Sequence, residues 1–156
     1  MNMSDVTIVG SGPTGLMLAG ELALTGVDVE IIERRSTPDL VGSRARGFHS
    51  RTIEILDQRG IVDRFLAEGQ PAQGLSFGNT SLNVGGLPSR HPYTLGLGQN
   101  RMERILLGWV EELGVPIIRG CEVVGFAQDD SGVDVQLSSD ATLRAQYLVG
   151  ATGDAA

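Results

Sequence analysis

The chain has 156 residues, 41% apolar and 20% charged, and its 12 basic against 19 acidic residues leave a net charge of −7. This length suits one domain burying about 68–70% of its unfolded surface; the composition excludes a disordered, collagen-like or membrane-spanning chain, and the charge opposes binding to nucleic-acid backbones or anionic lipid. Cys121 is the only cysteine, so no intrachain disulfide forms; with no leader-like start and no long apolar run, the expectation is a soluble cytoplasmic protein.

Val6–Val9 is a short apolar run ending at Gly10, as expected of a strand covered on both faces. From Thr14 to Thr25 the residues Leu16, Ala19, Leu22 and Ala23 follow helical spacing, and Gly26 is placed to end that helix. Val27, Val29, Ile31 and Ile32 then predict a strand closing at Glu33, which completes a βαβ unit. Residues 34–47 hold four arginines and Pro38 without periodicity and read as a loop. Ser50–Gln58 reads as a helix stopped by Gly60, and Ile61, Val62, Phe65 and Leu66 as a short second one.

Between Gly69 and Gly98 the chain is rich in Gly, Ser, Asn and Pro, consistent with short strands or a long excursion. Next comes the clearest helix, with Asn100 as expected N-cap, Glu103 three residues on, and Met102, Ile105, Leu106, Trp109, Val110 and Leu113 on one face. Gly114 and Pro116 end it. A strand near Val115–Ile118 precedes strands at Glu122–Gln128 and Val133–Leu137, turned by Asp129-Asp130-Ser131-Gly132, and a last strand at Leu143–Gly150. The fold class is therefore α/β, a Rossmann-like βαβ sheet with an added three-stranded β-meander.

Gly10-Ser11-Gly12-Pro13-Thr14-Gly15 has a mechanical reason at each glycine: Gly10 for the tight turn, Gly12 for close approach of backbone to a diphosphate, Gly15 for packing of helix on strand. The helix N-terminus supplies N–H groups and partial positive charge, and Glu33 stands where a carboxylate meets ribose hydroxyls. Strand, glycines, helix, strand and acid occur in order, which a bare tight turn does not require. These residues serve FAD and nicotinamide dinucleotides alike, and the choice between them stays open at this point.

The runs GSGPTGLMLAGELALTGVDVEIIERR, SRARGFHSRTIEILDQRGI, GQNRMERIL and LRAQYLVG together resemble the N-terminal part of FAD-dependent aromatic hydroxylases, the group A flavoprotein monooxygenases, and within them the branch acting on aromatic polyketides. The resemblance runs from about Val6 to Gly150. It implies an FAD-binding domain over residues 1–156, with Gly10, Ser11, Gly12, Pro13, Thr14, Gly15 and Glu33 holding the ADP half of FAD. It further implies Arg34 beside the adenosine, Arg44 and Gln99 against the cofactor, the backbone of Val123 bordering adenine, and Gly153 in the Ala-Thr-Gly segment near FAD. NAD(P)H is implied as co-substrate and a small aromatic molecule as substrate. From the residues alone, Arg44 reads as a solvated loop residue and Gln99 as an ordinary helix-start residue.

Such hydroxylases usually follow their last strand with an aspartate in a G-x-D-G setting. Here the sequence reads Gly150-Ala151-Thr152-Gly153, and a threonine supplies no charge. The substrate domain and a later flavin-holding segment are not expected within these residues, so weak or absent hydroxylase turnover is the expectation for this chain alone, with self-association through an uncovered apolar face. A non-catalytic nucleotide-binding module and a small dehydrogenase-type NAD(P)-binding domain are the competing readings. Arg46, Arg51 and Arg101 read as surface residues, and His49 and His91 as residues without a metal or catalytic role. Trp109 and Cys121 read as core.

Overall fold

The computed structural model describes residues 3–39 and 45–153. In chain order the elements are β1 (Ser4–Val9), α1 (Pro13–Leu24), β2 (Val29–Glu33), β3 (Gly47–Phe48), α2 (Ser50–Gln58), α3 (Val62–Leu66) and β4 (Gln70–Ala72). They continue with β5 (Gly74–Phe77), β6 (Thr80–Asn83), β7 (Thr94–Gly96), α4 (Gln99–Glu112), β8 (Ile117–Arg119), β9 (Val123–Asp129), β10 (Gly132–Leu137) and β11 (Thr142–Gly150). The chain divides into two compact units, one of residues 1–39 with 106–156 and the other of residues 40–105, and the division falls inside α4.

The first unit is built on a six-stranded sheet ordered β8-β2-β1-β11-β10-β9. β8, β2, β1 and β11 run parallel, and β11-β10-β9 form the antiparallel meander, so β11 belongs to both parts. The apolar runs read as two-faced strands behave that way: Ile8 pairs with Ile31, and both are fully buried, as is Ile32 within 1%. Each such side chain contributes about 1.5–3 kcal/mol relative to exposure. α1 covers the sheet with Leu16 and Ala19 and ends at Thr25 and Gly26, where φ of +82° at Gly26 fits a glycine stop. A Cβ at Gly20 of α1 would overlap the ring of Trp109, so the glycine is what admits the indole.

In the second unit, β3-β7-β4 form a small antiparallel sheet and β5-β6 a separate hairpin. The Gly69–Gly98 stretch thus makes short strands. Its core is Ile53, Leu56, Phe65, Leu95 and Met102, with Phe48 edge-on to Phe65 at 5.5 Å between ring centroids. Arg46, Arg51 and Arg101 are exposed, as read from sequence.

One expectation needs correction within this unit. α4 starts at Gln99, so Asn100 lies inside the helix; the carbonyl of Gly98 accepts from Met102 N–H, the position of a helix cap. The reason is that Gln99 is tied to Ala45 twice, its N–H donating to the Ala45 carbonyl and its Oε1 accepting from Ala45 N–H, each at 3.2 Å, while its Nε2 donates to Glu103 at 2.9 Å. Glu103 is buried and accepts from Gln99 at this helix start.

His91, read as a residue without a metal or catalytic role, is the centre of a part-buried polar network. Its Nε2 lies 2.9 Å from Asp57 Oδ2 and its Nδ1 2.9 Å from the Tyr93 hydroxyl. Ser50 donates to the His91 carbonyl at 2.7 Å, and Ser89 both accepts from His91 N–H and donates to Glu54. The hydrogen bond from His91 holds the Asp57 carboxyl below its ordinary value. Among the described residues no serine hydroxyl bonds the imidazole, so the network fastens the segment around Ser89–Tyr93 to α2 and is not a nucleophilic triad.

Candidate dinucleotide site

In an open parallel sheet, ligands sit beyond the carboxyl ends of strands where the chain connections part to either side. β1 meets that condition, with β2 on one side and β11 on the other, and its carboxyl end is Gly10. Gly10 has φ of +107° and donates its N–H to the Ile32 carbonyl at 2.8 Å. A Cβ there would come within 2.7 Å of the Ala151 carbonyl oxygen, and one at Gly15 would overlap the carbonyl oxygen of Gly10 itself. Only glycine permits this turn and this close seating of α1 upon it.

Gly12 caps α1 in extended conformation, its carbonyl accepting Leu16 N–H at 2.9 Å, with no side chain capping the helix and Pro13 in the first turn. The first turn carries no acidic side chain. Thr14 and Gly15 therefore present N–H groups without intrahelical partners at the positive end of the helix, next to a cradle that side chains would otherwise fill. This is a fit to a diphosphate.

Glu33 ends β2 beside the cradle and is 7% exposed. Its Oε2 accepts from Ser11 N–H at 2.8 Å and from the Ser11 hydroxyl at 2.7 Å. Its Oε1 accepts from Arg35 N–H at 2.8 Å and pairs with Arg35 Nε at 3.3 Å. Burial pushes the carboxyl pKa up, but the hydrogen bonds from Arg35 and Ser11 outweigh it and lower the pKa from 4.5 to about 2. The acid is thus ionised throughout the physiological range and joined to the second residue of the glycine turn.

The remaining candidates fall in different places. Arg34 is exposed and pairs with Glu122 at 3.5 Å, and Val123, half-buried, opens β9 next to that glutamate. The chain there is laced to the acid's segment: Cys121 N–H donates to the Glu33 carbonyl and Gly120 N–H to that of Arg35, each at 3.2 Å. Cys121 itself is half-buried against the core of the meander. Gly153, with φ of +71°, lies just past β11, whose end reaches the cradle through Ala151 N–H donating to the Val9 carbonyl at 2.8 Å. The turn, Glu33, Arg34, Val123 and the Ala151–Gly153 segment all belong to the first unit. Gln99 belongs to the second, bound to Ala45 as described, and Arg44 lies outside the described residues.

Arg35 and Arg119 were not singled out from sequence. Arg119 belongs to no motif, and only the register of β2 with β8 sets it against Glu33. A cavity of about 520 Å³ opens at the other end of β1, lined by Met3, Gln128–Val133 and Gln146–Leu148, and contains none of the cradle residues. Among the described residues, no three His, Cys, Asp or Glu side chains cluster as a metal site, and no helix is long and apolar enough to cross a membrane.

Comparison with known proteins agrees with this geometry. The FAD binding domain family matches residues 3–156. A rifampicin monooxygenase of Rhodococcus hoagii is 47% identical over 97% of the chain, which covers 32% of that protein. The structure of the OxyS anhydrotetracycline hydroxylase from Streptomyces rimosus superimposes with a TM-score of 0.91 at 40% identity, covering 96% of this chain and 31% of that one. A dialkyldecalin synthase of Streptomyces rugosporus is 32% identical over 98% of the chain and 33% of its own length. The chain thus spans about a third of the length of the curated relatives it matches. It belongs to the FAD binding domain family, in the form found in flavin-dependent aromatic monooxygenases.

Proposed function

We propose that residues 1–156 act as the cofactor-binding domain of an NAD(P)H- and O2-dependent monooxygenase whose substrate is a small aromatic molecule. The observation that carries this reading is the coupling of the glycine turn to an ionised, buried acid through Ser11 and Glu33. In it, the N–H groups at the start of α1, with Gly10, Gly12, Pro13, Thr14 and Gly15 shaping the space, receive the diphosphate of FAD. Glu33 faces the adenosine ribose, Arg34 lies beside the adenosine, the Val123 backbone borders the adenine, and Arg44, Gln99 and Gly153 serve FAD. FAD, when bound, supplies the redox chemistry with reduced nicotinamide and oxygen. The protein's task in that chemistry is to position the cofactor and keep water from it. Chain other than these residues builds the pocket over the flavin ring, and the protein works in the cytoplasm.

A second reading, FAD binding without hydroxylase turnover, draws on Thr152, which is neutral where the resemblance places an aspartate, and on the dialkyldecalin synthase, a relative whose name is not that of a monooxygenase. Thermal melts in FAD, NAD and NADP test the cofactor reading. At one hundred times its dissociation constant FAD stabilises the fold by about 2.7 kcal/mol, and a melt that responds to NAD or NADP but not to FAD overturns the proposal. Substrate-coupled NADPH oxidation by this chain would exclude the second reading.

A further inference from the structure

Glu33 already has partners of its own. Two donors from Ser11 and two from Arg35 occupy its two oxygens, which together offer about four acceptor sites. A ribose arriving there shares the acid with Ser11 and Arg35, and the open donor beside it is a guanidinium.

That guanidinium is Arg119. β2 and β8 are parallel neighbours with Glu33 opposite Arg119, so the two side chains leave the sheet on the same face. The register is locked beyond the strands by Gly120 N–H on the Arg35 carbonyl and Cys121 N–H on the Glu33 carbonyl, and Gly120, with φ of +67°, turns the chain immediately after Arg119. Arg119 Nη1 lies 3.4 Å from Ser11 Oγ, whose own proton goes to Glu33. Among the described residues this long hydrogen bond is the only one the Arg119 side chain makes, although a guanidinium carries five N–H donors. The side chain is half-buried, and the donors that this bond leaves over stay open to an incoming group.

We infer that Arg119 is a further ligand-contacting residue of the site, donating to a ribose hydroxyl or phosphate oxygen of the ADP half of the bound dinucleotide. The inference rests on the FAD reading above. Together with Arg35 it gives the cluster around Glu33 a net charge of plus one, so the acid's flank attracts an anionic ligand although it is built on a carboxylate.

The test titrates the parent chain, R119Q and R119K with FAD, ADP and adenosine by calorimetry, and records the ligand-free melting temperature of each. R119Q is expected to bind FAD and ADP about ten- to a hundredfold more weakly, with R119K recovering part of the loss and the ligand-free melt nearly unchanged. A loss for ADP without one for adenosine assigns the contact to phosphate; equal losses assign it to ribose, and either supports the inference. R119Q with the parent's affinities for FAD and ADP overturns it while the FAD reading stands. So does a weakening that follows a lowered melting temperature and is not relieved in R119K. A parent chain that binds neither FAD nor ADP brings down the FAD reading itself.

Discussion

Replacing Glu33 by glutamine keeps the shape of the side chain and removes the charge on which Ser11 and Arg35 converge. The carboxyl is lowered from 4.5 to about 2 in the folded chain. At full value that difference is worth about 3 kcal/mol of stability near neutrality, and about 2 kcal/mol once solvent reaching the site edge screens the Arg35 pair. Because the folded-state pKa is the lower one, this stability is present above pH 4.5 and is lost as the pH falls through 4.5 toward 2. E33Q must also turn an NH2 group toward donors, since each oxygen of Glu33 accepts two. Urea unfolding followed by circular dichroism at pH 7, 5, 4 and 3 should therefore show E33Q less stable by about 2 kcal/mol at pH 7 and by about 1 kcal/mol at pH 3. Equal stability of parent and variant at pH 7, or a gap that stays constant down to pH 3, would refute the claim that an ionised Glu33 holds the turn together.

Three other perturbations follow from the same geometry. Gly15→Ala sets a methyl into the Gly10 carbonyl, a backbone group and not the end of a flexible side chain; a loss of more than about 3 kcal/mol in unfolding free energy is expected, and a variant as stable as the parent contradicts the seating of α1. His91→Leu leaves Asp57 and Tyr93 without their shared partner and is expected to lower the melting temperature by about 4 °C or more, whereas an unchanged melt would make the network incidental. Val124 and Phe126, more than 60% exposed on edge strand β9, place apolar side chains at an unpaired end of the sheet. Sedimentation velocity should show concentration-dependent self-association that F126K diminishes; a compact monomer at all concentrations counts against it.

Much of the first unit was legible because local rules and tertiary structure agree there. The β1-α1-β2 order, its glycines and Glu33 are encoded within one short segment, where period, turn chemistry and capping point the same way. The meander was legible for the same reason, its turn at Asp129–Gly132 marking the hairpin between β9 and β10. What was not legible depends on partners far apart in the chain. Arg119 acquires meaning only when β8 pairs with β2, and His91 only when the segment carrying it reaches Asp57 on α2. Asn100 misled because a good capping residue lies one position inside a helix whose start is set by the attachment of Gln99 to Ala45. Arg35 was hidden by its neighbour: Arg34 follows the acid directly, but it is Arg35 whose backbone and guanidinium both return to Glu33, while Arg34 turns to Glu122.

The central claim is that the cradle and Glu33 hold FAD, and its most direct test is the visible spectrum of the purified chain after incubation with FAD and removal of free cofactor by gel filtration. The account predicts that flavin absorption travels with the protein at close to one FAD per chain and is much reduced in E33Q under conditions where that variant is folded. Protein that emerges colourless from saturating FAD yet retains NAD or NADP in the same experiment would contradict it.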